Sequence, residues 1–203
     1  MDMIEKIEDI LRFWFGTVEN GFPVIDRSKL WWAGDAENDR LVSELFGHRV
    51  HQALRGELDE WASSPRGRLA LIILLDQFTR TIFRGSEDAF SGDTQALALC
   101  IEGRKLGHDQ ALEVVERAFF YMPFEHAEQL DLQQLSIECF EQMLFEVSGV
   151  NKIYMENWLD FAHQHYDQIN RFGRFPHRNE VLGRSSTPEE LAFLLQTKNR
   201  WGQ

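Results

Sequence analysis

Ser64-Pro65-Arg66-Gly67-Arg68-Leu69-Ala70-Leu71-Ile72-Ile73-Leu74-Leu75-Asp76-Gln77-Phe78-Thr79-Arg80-Thr81-Ile82-Phe83-Arg84-Gly85 is the stretch whose periodicity decides the fold class. It opens on a capping serine and a proline, whose missing N–H and fixed φ suit a first helical turn, and it closes on glycine. On a wheel of about 100° per residue, Leu69, Ile72, Ile73, Asp76, Arg80 and Phe83 share one stripe. Leu71, Leu75, Phe78 and Ile82 fill the opposite side. A helix that is apolar all round is a buried one, so a buried helix is predicted from Pro65 to about Phe83.

Outward from this segment, helical periodicity recurs almost everywhere and strand alternation almost nowhere. Ile4, Ile7, Leu11 and Trp14 give an opening helix that stops at Gly16, before a Gly-, Pro- and Trp-rich loop through Pro23, Trp31 and Trp32. Asp35 is the expected N-cap of a helix from about Ala36 to Leu54, and Asp93 that of a helix ending before Gly107. A helix from about Gln110 is predicted to break at Pro123, which opens a longer one to about Val147. Another runs from about Asn151 to Asn170. Thr187-Pro188-Glu189-Glu190 is a capping box with proline at the first helical position. The fold class is therefore all-α: about eight helices with short connections, stacked as antiparallel pairs in a single domain, residues 1–203.

Hydrophobic residues make up 43% of the 203 and aromatics 12%, enough for a packed core. The net charge of -12 sets the chain against a nucleic-acid backbone or an anionic membrane as partner. Its apolar runs fall short of the roughly 20 residues a bilayer requires, and its start lacks a signal peptide's basic and apolar regions. Two cysteines, Cys100 and Cys139, lack metal-type spacing and are too few for a disulfide framework. The expected setting is the cytoplasm, with reduced, structural thiols.

Charged residues on apolar stripes carry the functional information. Asp76 and Arg80, with Arg84 one turn on, lie in the buried helix. His126 shares a stripe with Leu130, Gln133, Ile137, Phe140 and Leu144 in the helix predicted after Pro123, whose first turn would hold Glu125 and Glu128. His165 shares one with Tyr154, Trp158, Phe161, Ala162 and Ile169. The segment from Arg171 to Arg184 adds four arginines and His177 against one acid, Glu180, in an acidic chain. Guanidinium forks match carboxylates and phosphates. Two readings follow. The groups form one shared pocket for an anionic ligand, or they are ion pairs of the architecture, as Asp76 and Arg80 at i,i+4 would be.

Other chemistries are thinner. His126, His165 and Asp76 would make a two-histidine, one-carboxylate metal set, but they lack a compact motif, and neither a metal nor a cofactor is expected. His163 points away from His165, while His48 and His51 lie off the apolar stripe. No nucleophile elbow, phosphate loop or dinucleotide fingerprint is present. Phe13-Trp14-Phe15 and Trp31-Trp32 are expected to be packing anchors.

Phe13-Trp14-Phe15-Gly16, Trp31-Trp32, Leu69 to Arg80, Phe83-Arg84-Gly85, Phe119-Phe120-Tyr121-Met122-Pro123-Phe124-Glu125-His126 and Phe172-Gly173-Arg174-Phe175-Pro176-His177-Arg178-Asn179 carry a resemblance over nearly the whole chain. Together they resemble a bacterial family known as domain of unknown function nine-two-four. The resemblance implies a right-handed, tetratricopeptide-repeat-like superhelix and no activity. Its motif positions Asp76, Gln77, Arg80, Arg84, Glu125, His126, Arg174, His177 and Arg178 overlap the wheel-derived candidates, to which His165 is added. Two functions are expected from this: a module that takes a peptide or protein on a concave helical face, or a small enzyme or sensor that binds an anionic metabolite.

Overall fold

The computed structural model describes residues 2–196, and over these the chain is all-α. Two compact units divide it, residues 2–123 and 124–196 of the described chain. In the first, α1 (Met3–Phe15) begins with a capping box from Asp2 and Glu5 and ends at Gly16, whose φ of 69° favours glycine. The expected loop after it holds more order than predicted. Val18–Glu19 and Phe22–Pro23 pair as a minimal antiparallel hairpin, and α2 spans Ser28–Trp32. What orders it is the exposed end of α1: Arg27 donates to the carbonyls of Phe13 and Trp14, and Trp31 Nε1 donates to that of Trp14. Local polarity in the sequence does not reveal such a tertiary cap.

Next, α3 (Ala36–Leu54) is capped by Asp35 as expected. Ser64 accepts from the Gly67 amide and Pro65 opens α4 (Pro65–Ile72). The helix then continues through a π-helical segment, Ile73–Phe78, into α5 (Thr79–Ile82). Residues 67–79 are buried without interruption. The wheel anticipated the burial but not the wider turn, because a constant 100° step contains no π segment.

Two glycines fix how α6 (Asp93–Lys105) lies on this helix. A Cβ on Gly92 would collide with the Leu75 carbonyl, and one on Gly103 would strike Arg68 and Phe120. Early α6 therefore meets the late part of the run and late α6 its beginning, an antiparallel close approach that only glycine permits. Similarly, α3 crosses with Asp39 near Arg84 and Phe46 near Phe78. Asp93 is not the cap: Gly92 holds that position, and Asp93 turns to Arg80 instead. The unit closes with α7 (Val114–Glu125), whose last turn carries the division at Pro123.

The sequence expectation at Pro123 fails. Proline lies inside α7 rather than opening a helix, so Glu125 ends α7 and His126 and Glu128 sit in the following link. The reason is tertiary. Gln133 of α8 (Leu130–Glu146) sends Nε2 to the Glu125 and Ala127 carbonyls at 2.6 and 2.7 Å, satisfying a helix end that the sequence gives no local cap. A three-residue link then folds α9 (Val150–Phe172) back along α8. After Gly173, a 3₁₀ turn over Pro176–Arg178 leads to α10 (Pro188–Gln196), whose capping box forms as read: Glu190 N donates to Thr187 Oγ1 and Thr187 N to Glu190 Oε2.

Candidate functional site

The predicted residues divide between the units, and within each unit they group by chemistry. In the first unit Asp76 is fully buried in the π-helical segment. Arg80, one turn on, places Nη1 3.3 Å from Asp76 Oδ1 and forks onto Asp93 at 2.7 and 3.1 Å. Gln77 donates to Asp76 Oδ2 at 2.5 Å and toward Met122 Sδ at 3.4 Å. One guanidinium thus serves two carboxylates, which offsets the desolvation of Asp76 by charge and by directed hydrogen bonds. Burial lowers the Arg80 pKa, but both aspartates raise it further, and the net direction is up. Arg84 turns elsewhere and forms a two-point fork with Asp39 at the start of α3. The π-helical turn at Asp76 is the kind of distortion often found where a helix has work beyond packing.

In the second unit Glu125, His126, His165 and Arg178 come together. His165, on the buried face of α9, has Nδ1 2.8 Å from the Phe161 carbonyl and 3.2 Å from Glu125 Oε1. Both neighbours of Nδ1 are acceptors, so Nδ1 serves as a donor. The His126 ring lies 6.3 Å from that of His165. Phe175 packs edge-on against His165 at 5.4 Å, and the Arg178 guanidinium lies 4.5 Å over the Phe175 ring while donating to the His126 carbonyl. His177 contacts the same ring at 5.6 Å. A carboxylate orienting an imidazole beside a second imidazole and a cation is an arrangement that general acid–base chemistry uses.

Arg174 stands apart from this group. It forks onto Glu190 at 2.6 and 2.8 Å and ties the loop to α10. Hydrogen bonding from Arg174 holds the Glu190 carboxyl at a pKa of about 2. Arg184 forks onto Glu128 at 2.6 and 3.0 Å, and Glu128 also accepts the Phe175 amide. Glu128 lies below its usual pKa because these bonds outweigh its burial.

The helical-stripe argument holds for His165 and fails for His126. His165 is buried with Trp158, Ala162 and Ile169, although Tyr154 and Phe161 of the predicted stripe are exposed. His163 is exposed, as are His48 and His51. His126 shares no stripe with Leu130 and Gln133, since it precedes α8. Sequence reasoning did not assign Asp39 to Arg84, Asp93 to Arg80 or Glu190 to Arg174. Each lies in a first helical turn, where the helix dipole favours acids, and that is the one signal that could have flagged them. Cys100 and Cys139 are each buried. Phe13, Trp14, Phe15 and Trp31 are packing anchors as read: they pack edge-to-face with Phe46, Phe78 and Phe119, while Trp32 stacks on Phe119. Among the described residues no group of three or more His, Cys, Asp or Glu side chains is placed to hold a metal ion. None of the described helices is long and apolar enough to cross a membrane.

The model of a family described as a bacterial protein of unknown function (DUF924) matches residues 10–198. The chain belongs to this family. A solved structure of a protein of unknown function from Agrobacterium tumefaciens is 35% identical, covers 97% of this chain and 100% of its own, and superposes with a TM-score of 0.81. No curated protein matches the chain.

Proposed function

We propose that this DUF924 protein is a cytosolic helical binding module, with its helices arranged as a tetratricopeptide-like, right-handed superhelix that offers a concave face to a peptide or protein. Neither nucleic acid nor a membrane is its partner. The observation that carries this reading is the use of the arginines. Of the four arginines that an anionic metabolite would need, Arg80, Arg84 and Arg174 already fork onto Asp93, Asp39 and Glu190, and Arg178 donates to the His126 carbonyl. A ligand would have to break those pairs and leave buried or half-buried carboxylates uncompensated, at a cost of about 3–5 kcal/mol for a buried one.

The Glu125–His165 pair supports a second reading, a small enzyme or sensor for an anionic metabolite with His126 or His165 as acid or base. Thermal melts against carboxylates and phosphates separate the two. A binding module melts at the same temperature throughout. A saturable rise, reaching about 2.7 kcal/mol of stabilisation at a hundredfold excess over Kd and absent in His165→Gln, would overturn the first reading in favour of the second.

A further inference from the structure

Among its described residues the second unit leaves a strip of apolar side chains uncovered along α9 and the end of α8. Phe145, the penultimate residue of α8, is 90% exposed, and Val150 and Ile153, in the first turn of α9, are 73% and 60% exposed. Tyr154 and Phe161 continue the strip along α9. On a helical wheel Val150, Ile153, Tyr154 and Phe161 occupy a sector about 100° wide. Met155, Trp158, Ala162, His165 and Ile169 fill the neighbouring, buried sector. A helix needs only one apolar face to hold its own fold. Scattered exposed apolar residues are ordinary, but a contiguous strip with a polar rim marks an interaction surface.

The rim has one sign. α8 carries Asp131, Glu138, Glu141 and Glu146 and no lysine or arginine. Glu141 and Glu138 are exposed one and two turns before Phe145. On α9, Glu156 and Asp160 flank the strip, and the two cations of that helix are matched locally, Lys152 by Glu156 and Arg171 by Glu189. This charge excludes two of the usual occupants of an apolar strip. An anionic lipid surface would be repelled, and a second copy would bring acid onto acid in a chain of net charge -12. What remains complementary is a cationic partner with apolar anchors at helical spacing.

We propose that the exposed strip at the turn end of the α8–α9 hairpin, from Phe145 through Phe161, docks a basic amphipathic helical segment of a protein partner. This rests on the binding-module reading and gives it a location and a partner class. Isoleucine, valine and the two phenylalanines receive the partner's apolar face, and the glutamates receive its lysines or arginines. Apolar contact sets the lifetime of the complex, and charge sets its sign and its salt dependence.

The test is a fluorescence-anisotropy titration of the full chain with a designed Leu/Lys helix of about five turns. Its controls are a Leu/Glu counterpart and a permuted Leu/Lys peptide with period-two spacing. The helical Leu/Lys peptide should bind best, and added salt should weaken it. Ile153→Asp and Phe145→Ser should each raise Kd at least about tenfold, as loss of a central anchor does. Ile153→Asp adds an acid, so a loss there cannot be electrostatic. Leu45→Asp, at an exposed apolar position of α3, should leave Kd unchanged, and circular dichroism should show all variants equally helical. Tightest binding of the Leu/Glu helix, or equal binding of the permuted peptide, overturns the partner class. Binding that ignores both strip substitutions overturns the location. Either result leaves the module reading standing, because that reading is decided separately by the metabolite melts.

Discussion

Asp76 in the first unit and Glu125 in the second are both buried carboxylates on largely apolar helices, but Asp76 meets a guanidinium and Glu125 an imidazole. A guanidinium stays charged at any physiological pH, so the Asp76–Arg80–Asp93 group is a permanent ionic clamp between α6 and the helix that carries the π-helical segment. An imidazole can be neutral or charged, so the Glu125–His165 contact is not fixed as an ion pair in the way that Asp76 with Arg80 is. The first arrangement suits architecture, and the second is where chemistry or sensing would sit if the chain had either. In the basic segment from Arg171 to Arg184, Arg174 and Arg184 likewise pair with carboxylates, Glu190 and Glu128.

The largest effect should come from breaking the permanent clamp. Arg80→Met leaves Asp76 buried beside an apolar chain and should cost about 3–5 kcal/mol in urea unfolding. A loss below about 1 kcal/mol would mean that Asp76 becomes protonated or hydrated cheaply, and the contrast with Glu125 would collapse. His165→Gln should cost less, about 1–3 kcal/mol, because the lost bonds to Phe161 and Glu125 are not all ionic. Equal losses for the two variants would remove the distinction drawn between the pairs.

Glu190→Gln tests a pair that is rim-exposed on the arginine side. Its loss weakens both the Arg174 fork and the α10 capping box and should cost about 1 kcal/mol, a figure set by the cap because solvent screens the pair. The sign with pH is fixed. A carboxyl held at about 2 when folded contributes stability above its ordinary value of 4.5, and that stability drains away as pH falls toward 2. Melting curves of the wild type should therefore decline more steeply than those of the variant across that window, and parallel curves would show that Arg174 contributes no ionic stabilisation. The smallest effect belongs to Arg40 and Glu44, exposed at i,i+4 on α3. Arg40→Ala should change stability by no more than about 0.5 kcal/mol, and a larger loss would mean that surface pairs cannot serve as the baseline for the buried ones.

The uninterrupted apolarity of Leu69–Leu75 was enough to bury the central helix, because no orientation of it keeps those side chains wet. Asp35, Ser64 and Thr187 announced their helices since capping is a contact within one turn. His165 was legible for the same local reason, its place on an apolar stripe of an unbroken helix. His126 was not. Its predicted stripe assumed a helix starting at Pro123, and only Gln133, reaching back across the link, decides that α7 ends at Glu125. Likewise the π-helical turn at Asp76, the Gly92 crossing and the choice of Asp93, Asp39 and Glu190 as the arginines' acids depend on which helix packs where. Periodicity, caps and charge report interactions within a few residues, and these the amino-acid order determined alone. The pairing of charges 13 to 45 residues apart is a property of packed helices, and it was settled only when the chain folded.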